Sequence, residues 1–181
     1  HFALEDKHAF LGASKYHWIN YDEEKLRSVF ANRFAAMRGS REHAWAAEAI
    51  RLRHRQPRNS RTLNMYINDA IGFFLEPEVV LSYSDNCFGT ADAIGFRDNV
   101  LRISDLKTGT NPASVHQLEI YAALFCLEYR VNPYDIEMIL RIYQNDNIVE
   151  SIPDPEDIKN MMDKIIWADT VIETMKEELV P

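Results

Sequence analysis

The sequence predicts an α/β protein in which a mixed central β-sheet is flanked by helices and the N-terminal third is helical. Two observations lead to this class. Apolar residues recur at helical spacing in the first third and in the last segment, whereas the middle holds short runs of Val, Ile, Leu and aromatic residues separated by Asp and Asn. With 181 residues and neither an internal repeat nor a composition break, we expect one domain over residues 1–181.

The N-terminal third is predicted to contain three helices, at about 22–37, 41–54 and 62–75. Asp22 is a suitable N-cap for the first helix, because its carboxylate can accept a hydrogen bond from the backbone of the first turn. Gly39 and Ser40 are expected to end this helix and to cap the second. The third should stop before Pro77, since a residue that precedes proline disfavours helix.

The rest of the chain is predicted to supply five strands and two more helices. The expected strands are 78–83, 88–96, 100–107, 135–143 and a short one near Ile148, and the expected helices are 113–129 and 155–179. Ser-Asp-Asn and Arg-Asp-Asn separate the first three strands, and these are turn-forming sequences. The first three strands should therefore form a meander.

Composition excludes several classes of protein. The longest uninterrupted apolar run, 120–127, is far shorter than the ~20 residues that span a bilayer. We therefore expect no membrane partner and a soluble, cytoplasmic protein. Two cysteines, Cys87 and Cys126, are too few for a disulfide framework or a cluster held by this chain alone, and suit packing as small hydrophobes.

The strongest chemical signal is a group of charged residues on two neighbouring predicted strands. Asp105 and Lys107 are two residues apart, so they project from the same face of their strand. Asp92 lies in the preceding strand, between small residues, in Gly-Thr-Ala-Asp-Ala-Ile. Two carboxylates in a largely apolar sheet repel each other unless a cation lies between them. A hard divalent cation such as Mg²⁺ or Mn²⁺ would bind there through oxygen ligands.

Each further candidate also has a simpler structural explanation. Asp-x-Lys alone is common as a surface ion pair. Gln117 and Tyr121 are four residues apart on one helix face and could bind a phosphate, but a helix that packs tyrosine inward and leaves glutamine at its rim is commoner. His43 shares a helical face with Ala47 and points towards the core, where it is either a hydrogen-bonded core residue or a metal ligand.

Four short motifs occur in a fixed order, and together they resemble the PD-(D/E)xK nuclease superfamily. They are Gly-x-x-x-His at 39–43, Gly-x-x-Asp at 89–92, Asp-x-Lys-Thr-Gly at 105–109 and Gln-x-x-x-Tyr at 117–121. Within the superfamily the sequence is most similar to the RecB-type exonuclease branch, which includes CRISPR-adaptation nucleases and phage exonucleases. The resemblance implies a restriction-endonuclease-like sheet and a metal-dependent deoxyribonuclease.

The resemblance also implies roles for single residues. His43, Asp92, Asp105 and the backbone carbonyl of Leu106 would be metal ligands, with Asp92, Asp105 and Lys107 forming the catalytic set. Lys107 would position the attacking water, and Gln117 and Tyr121 would contact DNA. Glu78 stands where relatives often carry a glutamate, although a solvated strand end explains it equally well.

One departure from the branch concerns its iron–sulfur cluster. Many members hold a [4Fe–4S] cluster with one cysteine near the N-terminus and three near the C-terminus. This chain has no cysteine before Cys87 or after Cys126, so we expect no cluster. The expected cofactor is Mg²⁺ or Mn²⁺ alone.

The net charge of −8 is unevenly distributed along the chain. Residues 38–61 contain seven arginines and two glutamates, a balance of +5, and the remainder carries −13. Arg51, Arg53 and Arg55 cannot all point the same way on a helix, which indicates an exposed basic loop. Such a loop is either a solvated surface segment or an element that follows DNA phosphates.

The function expected from these features is an Mg²⁺- or Mn²⁺-dependent DNA nuclease, an exonuclease of recombination, repair or phage DNA metabolism. Its partner would be the DNA substrate, and a homo-oligomer or a recombination partner protein is left open. The alternative is a non-catalytic DNA-binding or structural protein that reuses the fold. Metal-dependent cleavage of labelled DNA would separate the two.

Overall fold

The computed structural model describes residues 9–109 and 111–179. Contacts between residues divide the chain into two compact units, the first reaching residue 41 and the second comprising 42–181. The single domain expected over 1–181 stays a prediction. Within the described residues, no helix combines the length and the apolar character that crossing a membrane requires.

The structure belongs to the α/β class, as predicted, with a helical N-terminal part followed by a mixed sheet. Its helices are α1 (Glu23–Arg51), α2 (Thr62–Gly72), α3 (His116–Tyr129) and α4 (Pro155–Leu179), with 3₁₀ helices at Ala13–Asn20 and Pro133–Asp135. Its strands are β1 (Glu76–Ser84), β2 (Cys87–Arg97), β3 (Val100–Leu106), β4 (Glu137–Gln144) and β5 (Asn147–Ser151).

The first unit holds one 3₁₀ helix and the beginning of α1. The indole nitrogen of Trp18 donates a hydrogen bond to the carbonyl of Gly12, at 3.1 Å. Phe10 meets Phe30 edge to face, with 5.2 Å between the ring centroids, and the guanidinium of Arg33 lies 5.5 Å from the centre of the Phe10 ring. These contacts tie the segment before α1 to the first turns of that helix.

The predicted helix break at Gly39 and Ser40 is wrong, because α1 is continuous through both residues. The hydroxyl of Ser40 donates to the carbonyl of Ala36, at 3.2 Å, so it is satisfied inside the helix and does not cap a new one. A glycine within a helix costs about 1 kcal/mol, which is too little to end a helix of this length. The predicted N-cap is confirmed, since Asp22 accepts a hydrogen bond of 2.7 Å from the amide of Lys25.

The sheet has the strand order β1-β2-β3-β4-β5. The first three strands form the predicted antiparallel meander, β3 and β4 are parallel, and β4 and β5 form an antiparallel hairpin. Helix α3 connects the two parallel strands, as a crossover must. Pro77 lies within β1 and not before it, which a strand at the edge of the sheet tolerates.

Two apolar cores lie on opposite faces of the sheet. The first joins the sheet to α3 and α4, and includes Leu101, Ile103 and Leu140. The second joins it to α2 and the end of α1, and includes Ile67 and Tyr143. Cys126 is buried in the first core, where burial raises the pKa of its thiol to about 11, and half-buried Cys87 packs against that core.

Candidate active site

Three carboxylates occupy neighbouring positions on three adjacent strands. In the β1–β2 register Pro77 pairs with Ala93 and Val79 with Ala91, which leaves Glu78 opposite Asp92. In the β2–β3 register Ala93 pairs with Ser104, so the next position sets Asp92 opposite Asp105. The sheet therefore places the predicted pair Asp92 and Asp105 side by side and adds Glu78 to them.

The strands are irregular where these acids lie. In a regular strand residues 91 and 93 share a face, yet Ala91 belongs to the first core and Ala93 to the second. Strand β2 thus changes face at Asp92. Opposite it, Glu78 has a φ of 56°, a left-handed conformation that costs a residue with a side chain about 1–2 kcal/mol. Such strain persists only where the surrounding structure imposes it, and it is frequent at functional sites.

His43 reaches this group of acids from helix α1. Its Nδ1 lies 3.3 Å from Oδ2 of Asp92, and one ligand atom from each of His43, Glu78 and Asp92 lies within 4.8 Å of the other two. The predicted helical face is confirmed, since Ala47 and Ile50, on the same side of α1, are almost fully buried. This face holds the imidazole beside the strands.

A backbone hydrogen bond fixes the carboxylate of Asp92. The amide of Leu106 donates to Oδ2 of Asp92, at 2.9 Å, while the Leu106 side chain is buried in the second core. The contact joins β2 to the end of β3. The expected role of the Leu106 carbonyl as a metal ligand stays a prediction.

Asp105 is the most deeply buried of the three acids, with a side chain that is 4% exposed. Its Oδ1 accepts a hydrogen bond of 3.1 Å from Nζ of Lys107. Its Oδ2 lies 3.0 Å from the same nitrogen but in poor hydrogen-bond geometry, and it has no hydrogen-bond partner. Burial raises the pKa of Asp105 most, and the negative charge of Asp92 raises it further. The positive charge of Lys107 offsets only part of this increase. The site therefore holds more negative charge than its own cation balances.

Lys107, Gln117 and Tyr121 form a continuous chain of hydrogen bonds. Nζ of Lys107 donates to Oε1 of Gln117, at 2.9 Å, and Nε2 of Gln117 donates to the hydroxyl of Tyr121, at 3.2 Å. A Cβ built on Gly89 would lie only 2.9 Å from Cε1 of Tyr121. Gly89 therefore leaves the room that the tyrosine ring occupies. The structure thus brings the predicted residues of β3 and α3 together.

The pKa values around the site reflect its negative charge. Hydrogen bonding to Asp92 raises the pKa of His43, burial opposes this, and the charges of Asp92, Asp105 and Glu78 add to the increase. Tyr66 of α2 is 2% exposed, and its pKa is raised well above its ordinary value by burial and then by the same three carboxylates. Tyr66 is thus a neutral phenol beside the acids.

The residues present fit a bound divalent cation. His43, Glu78 and Asp92 each place one ligand atom within 4.8 Å of the other two, whereas Asp105, also predicted as a ligand, lies outside this group with its buried Oδ2 beside Nζ of Lys107. A cation with oxygen and imidazole ligands, bound between His43, Glu78 and Asp92, would neutralise part of this negative charge.

The three predicted DNA-binding arginines are exposed and lie around the end of α1. Arg51 is the last residue of α1, 3.8 Å from Glu48. Arg53 has a φ of 54° and reaches Glu76 at 3.4 Å, and Arg55 reaches the carbonyl of Asn68 at 3.5 Å. The expected exposed loop is confirmed, but the contacts of these arginines are not with the three acids.

Sequence reasoning left the role of Glu78 open and did not identify Tyr66. The sequence did contain a signal for Glu78. The predicted turn between the first two strands is centred on Asp85, and Glu78 and Asp92 are equally far from it along the chain. Residues equally far from the turn of an antiparallel pair lie opposite each other. No local signal existed for Tyr66, whose place depends on how α2 packs.

Comparison of the chain with known protein families, with curated proteins and with solved structures finds no match.

Proposed function

We propose that the chain is a divalent-metal-dependent DNA nuclease of the PD-(D/E)xK superfamily, an exonuclease similar to the RecB-type branch. One observation carries the proposal. Three carboxylates stand in register on adjacent strands; Glu78 and Asp92 share a group of possible metal ligands with His43, and Lys107 is bonded to the third and most buried acid, Asp105. This is the set of residue types that metal-assisted phosphodiester hydrolysis needs.

His43, Glu78 and Asp92 would hold the cation, and its charge would also act on the neighbouring carboxylate of Asp105, whose role as a further ligand is implied by the resemblance. Glu78 is thus added to the ligands implied by the resemblance. The bound cation would supply positive charge against the phosphate and lower the pKa of a water molecule.

Lys107 is the candidate for orienting the attacking water. Asp105 and Gln117 hold its ammonium group from two sides, so its position is fixed before substrate arrives. Gln117 and Tyr121 would contact the DNA near the scissile phosphate. Water oxygen would bond to phosphorus as the bond to the 3′-oxygen breaks, leaving a 5′-phosphate and, after protonation of the leaving oxygen, a 3′-hydroxyl.

The test is a time course on DNA labelled separately at its 5′ and 3′ ends, single- and double-stranded, with a circular control. Each substrate is incubated with Mg²⁺, Mn²⁺ or EDTA. We expect metal-dependent loss of label from linear DNA and none in EDTA. Asp105→Ala and Lys107→Ala should each abolish cleavage while the circular dichroism spectrum is unchanged.

Matched controls exist on the same fold. Asp157 and Lys164 are exposed on α4, so Asp157→Ala and Lys164→Ala remove the same charges elsewhere and should cleave normally. Full activity in Asp105→Ala or Lys107→Ala would refute the proposal. DNA binding without metal-dependent cleavage would instead support a non-catalytic DNA-binding protein.

A further inference from the structure

An exposed aromatic ring near the start of the sheet has the guanidinium groups of two arginines over it. Phe74 is 59% exposed and has a φ of 59°, a left-handed conformation that is a clear outlier for a bulky residue. The guanidinium groups of Arg97 and Arg53 lie 4.7 and 5.7 Å from the centre of its ring. We name these three residues the Phe74 platform.

The strained backbone at Phe74 is held by its neighbours. The amide of Leu75 donates to the carbonyl of Ala70, at 2.8 Å, which fixes the end of α2. A Cβ on Gly95 would lie 2.9 Å from Cδ2 of Leu75 and 3.4 Å from the carbonyl oxygen of Phe74, so this glycine allows the segment to lie directly on β2. Leu75 is buried by this packing, and Phe74 stays at the surface.

The surroundings of the platform are rich in arginine. The adjacent ring of Phe73 has Arg141 and Arg102 at 4.9 and 5.1 Å from its centre. Arg141 and Arg53 also contact carboxylates. In the part of the chain that the structure describes, Arg97 and Arg102 make no ion pair with a carboxylate. Their charges remain available for a phosphate.

We propose that the Phe74 platform binds an unpaired nucleobase of single-stranded DNA by stacking, with Arg97 on the adjoining phosphate. An exposed ring and the guanidinium planes that lie over it can each stack against a base, and the charge of the arginines attracts the DNA backbone. In a duplex the bases are already stacked on one another and cannot lie on this ring.

The platform lies apart from the acids. Arg97 is five residues after Asp92 on β2, roughly 16 Å along an extended strand. At about 3.4 Å for each stacked nucleotide, that is a separation of four or five nucleotides. The inference rests on the proposed nuclease only for the identity of the polymer, because stacking itself requires neither a metal nor cleavage.

The test measures binding in EDTA by fluorescence anisotropy, with three labelled probes of equal phosphate number. They are a single-stranded oligothymidine, the same strand with abasic sites and a blunt duplex hairpin. We expect Phe74→Ala to weaken binding of the thymidine strand about 5- to 150-fold, the range for loss of one stacked base. Binding of the abasic strand and of the hairpin should be unchanged, and Phe74→Trp should restore the preference for bases.

Arg97→Ala tests the phosphate contact. It should weaken binding of the thymidine and abasic strands alike and reduce the slope of log affinity against log salt by about 0.7. Trp167→Ala is the matched control, because Trp167 is 56% exposed with Nζ of Lys164 at 3.8 Å from its ring centre, but lies on the acidic helix α4. It should leave all three affinities unchanged.

The outcomes separate this inference from the proposed function. If Phe74→Ala binds the thymidine strand as wild type does, or keeps the same preference over the abasic strand, the platform is refuted even where cleavage is intact. If the wild type shows no metal-dependent cleavage but the base preference depends on Phe74, the nuclease proposal fails and the platform stands.

Discussion

Replacing Gly89 by alanine tests how the two motifs of the site depend on each other. The new Cβ would lie 2.9 Å from Cε1 and 3.6 Å from the hydroxyl oxygen of Tyr121. The ring must therefore move. Its hydroxyl accepts the hydrogen bond from Gln117, which in turn accepts one from Lys107, so we expect the displacement to reach the lysine.

The size of the effect follows from two opposing contributions. Forcing one extra carbon into a packed site costs about 1–3 kcal/mol. Alanine also restricts the unfolded chain more than glycine does, which stabilises the fold by about 0.4–1 kcal/mol. Gly89→Ala should therefore destabilise the protein by about 1 kcal/mol. In a Tyr121→Ala background the clash is absent, and the same substitution should stabilise by about 0.4–1 kcal/mol.

The assay is urea unfolding in EDTA of the wild type, both single variants and the double variant. With a slope of about 2 kcal/mol per molar urea, Gly89→Ala should lower the midpoint by about 0.5 M. Gly109→Ala is the control, because a Cβ there meets nothing within 4 Å. An equal effect of Gly89→Ala in both Tyr121 backgrounds would refute the reasoning.

Three further predictions concern the metal-free protein. Asp105→Asn should raise the thermal midpoint of unfolding at pH 8, because burial and the charge of Asp92 raise the pKa of Asp105 and so disfavour its ionised form. The gain in midpoint should shrink as pH falls through that pKa. A lower midpoint for Asp105→Asn than for the wild type at pH 8 would contradict this. His43 has a raised pKa, so its stabilising contribution is fully present below pH ~6.5 and is lost as pH rises through the pKa of the folded state. His43→Gln should therefore lower the urea midpoint more at pH 6 than at pH 9, and an equal loss at both pH values would argue against it. Tyr143→Phe removes the 2.8 Å hydrogen bond to Asp69 and should reduce the free energy of unfolding by about 1–2 kcal/mol, whereas an unchanged urea midpoint would show that this bond does not stabilise the fold.

The elements with a strong internal pattern were predictable. Helix α4 spans Pro155–Leu179, as expected from its apolar spacing, and the meander of β1 to β3 follows from its turn residues. The predicted helix break at Gly39 was wrong because the low helix propensity of one glycine is a weak signal within a 29-residue helix. The turns on both sides of Gly39 already form hydrogen bonds and continue through it.

The side-chain chemistry of the site was predictable in part, because it depends on strand register. Asp92, Asp105 and Lys107 follow from counting along two strands joined by a short turn. The left-handed conformation of Glu78 and the change of face at Asp92 arise from how the strands meet two different cores, and no short sequence pattern carries that information. Tyr66 depends likewise on packing between α2 and the sheet.

The distribution of charge connects the two proposals. The acids of the site repel phosphate as well as one another, so without a cation they oppose DNA binding where the reaction would occur. The Phe74 platform carries Arg53 and Arg97 beside an exposed ring and needs no cation to attract a single strand. A chain with a net charge of −8 could thus hold DNA first at the platform and admit a phosphate to the acids only when a divalent cation is bound. Adding metal should therefore change the affinity for DNA through the acids, and replacing Phe74 should change it through base stacking. Because the two sites are separate, the two changes in binding free energy should add.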